Sequence, residues 1–132
     1  MLANVRQMGR VLSQLLRQRI ASHPHVGDIR GRGLFWGIEF VADKNGAIPF
    51  PADRHVAMEI SESGLDEKYS VAVYPGSGTV DGVSGDHIIL SPPYNVTRED
   101  IESIVDAVGR LIDDFFSTPA EVAEVVGVDA KL

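Results

Sequence analysis

The 132-residue sequence predicts an α+β fold: a small, mostly antiparallel sheet with helices packed on one face, a long N-terminal helix and a long C-terminal helix. Three observations predict it. The stretches 3–22 and 97–116 carry apolar residues at three- and four-residue spacing, the signature of helices with one buried face. Between them, 26–41 is the densest run of β-forming residues, alternating at period two from Leu34 to Phe40. Two shorter apolar runs, at 70–74 and 87–91, have strand length and no helical period.

The first helix rests on Val5, Met8, Leu12, Leu15, Leu16 and Ile20, and His23-Pro24-His25 ends it, because proline disfavours helix in the residue before it. In 26–41 the glycines at 31, 33 and 37 predict a kink, dividing it into strands 26–32 and 34–41. Lys44-Asn45-Gly46 is a turn. Residues 52–64 read as a second helix stopped at Gly64, 70–74 as a strand, and 75–85 as a glycine-rich loop. After the strand at 87–91 and Pro92-Pro93, Thr97 caps the last helix, with Glu99 and Asp100 in its first turn, where the helix dipole favours acids. The order is α-β-β-α-β-β-α, with residues 1–117 as the domain and 118–132 as a tail, disordered or a short helix.

A net charge of −7 argues against nucleic acid and anionic membranes as partners. The absence of cysteine excludes disulfides and thiolate metal sites. The N-terminus has no apolar signal core and no run approaches a membrane span, so the expectation is a cytoplasmic protein.

Motifs intrinsic to the chain carry little chemistry. Arg30-Gly31-Arg32-Gly33 contains G-x-G but lacks the third glycine and the following helix of a dinucleotide fingerprint. The loop 75–85 is open to three readings: a phosphate cradle, a surface loop, or the rim of a pocket. Ser77 and Ser84 lack the strand–turn–helix setting of a nucleophile. His23 and His25 form H-x-H, His55 and His87 stand alone, and no metal site is expected. Glu59, Glu62, Asp66 and Glu67 read as a solvated helix side and its exit.

Four segments together resemble the C-terminal small domain of class III (fold type I) pyridoxal-phosphate aminotransferases. They are the long leading helix, the run Asp28-Ile29-Arg30-Gly31-Arg32-Gly33-Leu34-Phe35-Trp36-Gly37-Ile38-Glu39, the strand ending in Ser91-Pro92-Pro93-Tyr94, and the helix start Thr97-Arg98-Glu99-Asp100-Ile101. The match runs in order over about residues 5–117.

The resemblance implies amino-group transfer from an amine or amino acid to pyridoxal phosphate and on to a keto acid. In the family the Schiff-base lysine and the aspartate beside the pyridine nitrogen lie in the preceding large domain. Lys44, Lys68 and Lys131 match no Schiff-base motif, so this chain alone is expected to be inactive, to bind no cofactor stably and to need the missing large domain or a homologous subunit, with a homodimer possible. Branches that hold an α-carboxylate commonly place an arginine where Ile89 stands, so an ω-amine or other atypical donor fits better. Tyr74, Ser77 and Thr79 are the substrate-pocket candidates; the plainer reading is that they are loop residues. An exposed apolar patch, mainly from helix 3–22, is expected where the large domain packs. The rival reading is a free-standing α+β regulatory or interaction module that binds a small molecule or a protein partner.

Overall fold

The computed structural model describes residues 2–78 and 80–117; Thr79, Lys131 and the rest of the tail at 118–132 lie outside the described residues. The elements follow the expected order: α1 (Leu2–Ile20), β1 (Val26–Arg32), β2 (Phe35–Phe40), α2 (Val56–Gly64), β3 (Tyr74–Ser77), β4 (Asp86–Leu90) and α3 (Arg98–Ser117). The four strands form one antiparallel sheet in the order β1-β2-β4-β3.

The kink expected after residue 32 is a hairpin turn. Arg32 pairs with Phe35, and Gly33 adopts φ +57°, a left-handed conformation that suits glycine there. The register shift in this hairpin falls elsewhere, between Val26 and Asp28.

All three helices cover one face of the sheet. Val26 and Ile29 of β1, Trp36, Ile38 and Phe40 of β2, and Ile88 and Leu90 of β4 join one buried cluster with Leu12 and Leu16 of α1, Ile60 of α2, and Ile101, Val108 and Ile112 of α3. Each fully buried aliphatic side chain here is worth about 1.5–3 kcal/mol. Helices α1 and α3 run side by side in the same direction. Arg19 reaches Asp113 at 2.8 Å near their C-terminal ends, and Asn4 Nδ2 donates to the Tyr94 and Val96 carbonyls near their starts.

Two expected elements differ. The helix at 52–64 is two pieces, a 3-10 turn (Ala52–Arg54) and α2, because His55 between them is left-handed at φ 50°, ψ 44°. The strand at 70–74 shifts to Tyr74–Ser77, inside the presumed loop. Val71 and Val73 are buried but make no ladder, and pairing with β4 begins at Tyr74 opposite Ile89. Pro75 is tolerated because β3 is the sheet's edge.

The H-x-H pair belongs to the core. The His25 ring stacks on Phe116 at 4.6 Å, Phe116 stacks on Phe50 at 5.7 Å, and His25 Nδ1 lies 2.9 Å from the Val41 carbonyl.

Candidate functional site

The face of the sheet away from the helices carries no layer among the described residues. Period two sends Asp28, Arg30 and Arg32 of β1, Phe35, Gly37 and Glu39 of β2, and His87 and Ile89 of β4 to this side. Tyr74 joins them from β3, opposite Ile89. Phe35 and Tyr74 are 58% and 67% exposed, respectively, unusual for aromatic side chains on a sheet.

Polar groups order the middle of this face. The Arg30 guanidinium donates to Asp28 Oδ2 at 2.7 Å and to Glu39 Oε2 at 3.0 Å. Both carboxylates hold Arg30 firmly charged. Glu39 stands opposite His87 across the β2–β4 ladder. The His87 ring lies over Gly76, where any added Cβ would overlap it, and its buried Nδ1 has no hydrogen-bond partner. Arg30, Phe35, Glu39, His87 and Ile89 thereby line an open hollow of about 380 Å³. The face is apolar at Phe35, Ile89 and Tyr74 and carries a fixed ion-pair network beside them, a composition suited to covering by another protein layer.

The structure separates the sequence-predicted pocket residues. Tyr74 lies on the bare face, whereas Ser77, three residues on, pairs with Asp86 and lines a cavity of about 260 Å³ on the other side with His55, Met58 and Asp86. Thr79 lies outside the described residues. Ile89 is on the bare face, flanked by Gly37 and Tyr74.

The described residues of the glycine-rich loop form no phosphate cradle. The amides of Gly78, Val80 and Gly82 donate to carbonyls within it, and those of Val83 and Ser84 donate to Asp81 Oδ1. These bonds hold the Asp81 carboxyl below its ordinary value, so an anion at the loop tip would meet a carboxylate. The dinucleotide reading fails as well, since the glycines at 31 and 33 lead into a second strand. No group of three or more His, Asp or Glu among the described residues is placed to hold a metal. No described helix is long and apolar enough to cross a membrane.

The described residues do not fit pyridoxal phosphate. A Schiff-base lysine needs an amine that loses its proton readily, next to a carboxylate that holds the pyridine nitrogen. Lys44 Nζ instead donates to the Ala21 carbonyl at 2.9 Å. Lys68 is exposed beside the Tyr69 phenol and Asp114, which raise its pKa, the opposite of what the reaction requires.

The first helix turns most of its apolar stripe inward: Met8, Leu12, Leu16 and Ile20 of α1 point into the chain's own core, and exposed apolar groups include Leu2 at the start of α1 and Phe35 and Tyr74 on the bare sheet face. Alternation from Leu34 to Phe40 contains this result, because the alternate set Phe35, Gly37 and Glu39 must face away from the core. The network around Arg30 and the placement of His87 over Gly76 required the strand register.

No family model matches the chain. Among curated proteins it is 47% identical over 106 residues to an uncharacterized aminotransferase of Schizosaccharomyces pombe, covering 80% of this chain and 23% of that protein. It is 44% identical over 109 residues to an aminotransferase of Gibberella zeae, covering 83% and 21% of the two. Among solved structures it resembles a PMP-bound aminotransferase of Vibrio fluvialis, with a TM-score of 0.75, 25% identity and coverage of 88% of this chain and 23% of that one. The chain therefore spans between a fifth and a quarter of these proteins' length. At 47% and 44% identity to these two relatives over about four fifths of its length, the chain belongs to the aminotransferase family.

Proposed function

We propose that residues 1–117 act as the small domain of a class III, pyridoxal-phosphate-dependent transaminase, with 118–132 as its tail. In this reading a larger domain carries the cofactor and its lysine, and the bare sheet face seats against it. The observation that carries the reading is that face: exposed Phe35 and Tyr74 beside the ordered Asp28–Arg30–Glu39 network, on the side the helices leave open. Tyr74 would stand at the rim of the joint, with Ser77 and Thr79 as the further substrate-pocket candidates of this reading. Ile89, in place of an arginine, favours an ω-amine donor over one bearing an α-carboxylate. Homodimerisation and a cytoplasmic setting belong to the same proposal.

The experiment is a graft. Residues 1–117 replace the matching segment of the S. pombe relative, and transamination is assayed with pyridoxal phosphate, an amine and a keto acid. The chimera should turn over. Phe35→Asp with Ile89→Asp should abolish activity while leaving the isolated chain's circular dichroism unchanged. A folded, cofactor-loaded chimera indifferent to those substitutions would overturn the seating of the sheet face. Turnover by the isolated chain with cofactor and keto acid would overturn its dependence on a larger domain and favour a self-sufficient module.

A further inference from the structure

Helix α1 contains no acidic residue, in a chain whose net charge is −7. Its arginines divide into two groups. Arg19 is committed to the fold, pairing with Asp113 at 2.8 Å. Arg6, Arg10 and Arg17, spaced by four and seven, fall on one stripe of the helix, and all three are exposed. Arg17 sits over the Trp36 ring, 5.7 Å from its centroid, and donates only to Ser13. Arg32, at the end of β1, flanks the same stripe. None of Arg6, Arg10, Arg17 and Arg32 makes an ion pair among the described residues, whereas Arg30, Arg98 and Arg110 each have a carboxylate within 3.1 Å.

This arrangement opposes the helix's own stability. Arg6 and Arg10 are like charges one turn apart, and cations near a helix N-terminus oppose its dipole. The stripe borders a groove of about 710 Å³ between α1 and the β1–β2 turn. Leu2, Val5 and Trp36 give the groove an apolar side.

We propose that this groove binds an acidic polypeptide segment, with carboxylates on Arg6, Arg10 and Arg32 and an apolar side chain against Val5 and Trp36. Charge complementarity selects the occupant. The three arginines that line the groove want carboxylates, and the apolar wall wants a side chain that a nucleic-acid backbone lacks. The chain's net charge of −7 also repels a long polyanion that extends past the stripe. The groove meets the bare sheet face only at Arg32, on their common edge; Leu2, Val5, Arg6, Arg10 and Trp36 line the groove and not the hollow on that face, so this inference does not depend on the proposed transaminase role.

The test uses the full chain and a fluorescein-labelled 12-residue peptide of repeated Glu-Glu-Leu, followed by fluorescence anisotropy. Binding should weaken roughly tenfold in Arg6→Gln/Arg10→Gln/Arg32→Gln, and by a similar factor on raising salt from about 50 to 200 mM. Glu62→Gln with Asp66→Asn, at the C-terminal end of α2 and outside the groove's lining, should leave it unchanged. Circular dichroism checks that the variants fold, and exposed Arg→Gln changes on a helix should preserve it. Equal binding of a Gln-Gln-Leu peptide, or no loss in the triple variant, would overturn the proposal. So would tighter binding of a dT12 oligonucleotide, which would make the stripe a nucleic-acid surface.

Discussion

The Asp86 carboxylate, on β4, accepts a 2.9 Å hydrogen bond from the backbone N–H of Ala57 in the first turn of α2. The residue preceding that helix, His55, is left-handed and offers no side-chain cap. A strand thus caps a helix about thirty residues away in sequence, and the bond ties α2 to the sheet. Asp86 is only 4% exposed. Burial pushes its carboxyl above the ordinary value, outweighing the opposing effects of the Ala57 bond and of His55 and His87.

Replacing this group tests the cap and its charge separately. Asp86→Ala should lower stability by about 1–2 kcal/mol, since it leaves a buried helix N–H unsatisfied. Asp86→Asn keeps an acceptor and removes the titration. A carboxyl whose folded pKa is raised stabilises the fold below its unfolded value of 3.8, and that contribution is lost as pH rises through the folded value. The wild-type advantage over Asp86→Asn in urea unfolding should therefore shrink as pH rises from about 4 toward 7. An advantage that grows with pH would contradict the assignment.

His23 carries the opposite sign. Its Nδ1 accepts a 3.0 Å bond from the His25 amide, and its ring packs against Phe116 at 5.5 Å. Burial lowers its pKa from 6.5; Asp113 opposes this, while His25, Lys44 and Arg19 add to it. A lowered folded pKa means stability that is full above the unfolded value and lost as pH falls through the folded one. Thermal stability should fall between about pH 7.5 and 5, and His23→Gln should flatten that fall. An unchanged slope would assign the acid sensitivity to other groups.

Much of this fold was legible because burial repeats with a period. The α1 stripe, the Leu34–Phe40 alternation and the α3 stripe each place a buried set that the structure confirms. The strand at Tyr74–Ser77 was not legible, because its pairing is decided by β4 rather than by its own composition, and Tyr-Pro-Gly-Ser reads locally as a turn. The bare sheet face was legible only in part. Alternation names Phe35 and Glu39, but no local pattern tells which strand lies beside β2, so the meeting of Glu39 with Arg30 and His87 had to come from the register. The Asp86 cap was hidden for the same reason: sequence signals for caps look to the residues just before a helix, and this one comes from a strand.

The start of α3 is a reciprocal capping box. The Asp100 amide donates to Thr97 Oγ1 at 3.1 Å, and the Thr97 amide donates to Asp100 Oδ2 at 3.0 Å. These bonds hold the Asp100 carboxyl below its ordinary value. Its stabilising contribution is present above the unfolded value of 3.8 and is lost as pH falls through the folded one. Thr97→Ala should cost about 1 kcal/mol. The same change should let the Asp100 carboxyl titrate nearer its ordinary value, which a carbon-detected NMR titration reads directly. A titration unmoved by the substitution would separate the carboxyl from the cap.

Where α1 meets the β1–β2 turn, two opposing effects are set against each other at Gly9. Alanine in mid-helix is favoured over glycine by about 1 kcal/mol. A Cβ at Gly9, however, would lie 2.5 Å from the Gly33 carbonyl oxygen and 2.9 Å from its carbon. That oxygen already accepts the Trp36 indole N–H at 2.7 Å, and Gly33 holds φ +57°, so the turn has little freedom to retreat. Overpacking against backbone typically costs about 1–3 kcal/mol, which outweighs the propensity gain. Gly9→Ala should therefore be destabilising on balance and lower the melting temperature by several degrees. The Trp36 fluorescence should shift with it, because the Gly33 carbonyl that takes the clash is the indole's acceptor. A rise in melting temperature would mean that α1 and the β1–β2 turn do not meet at Gly9 and Gly33.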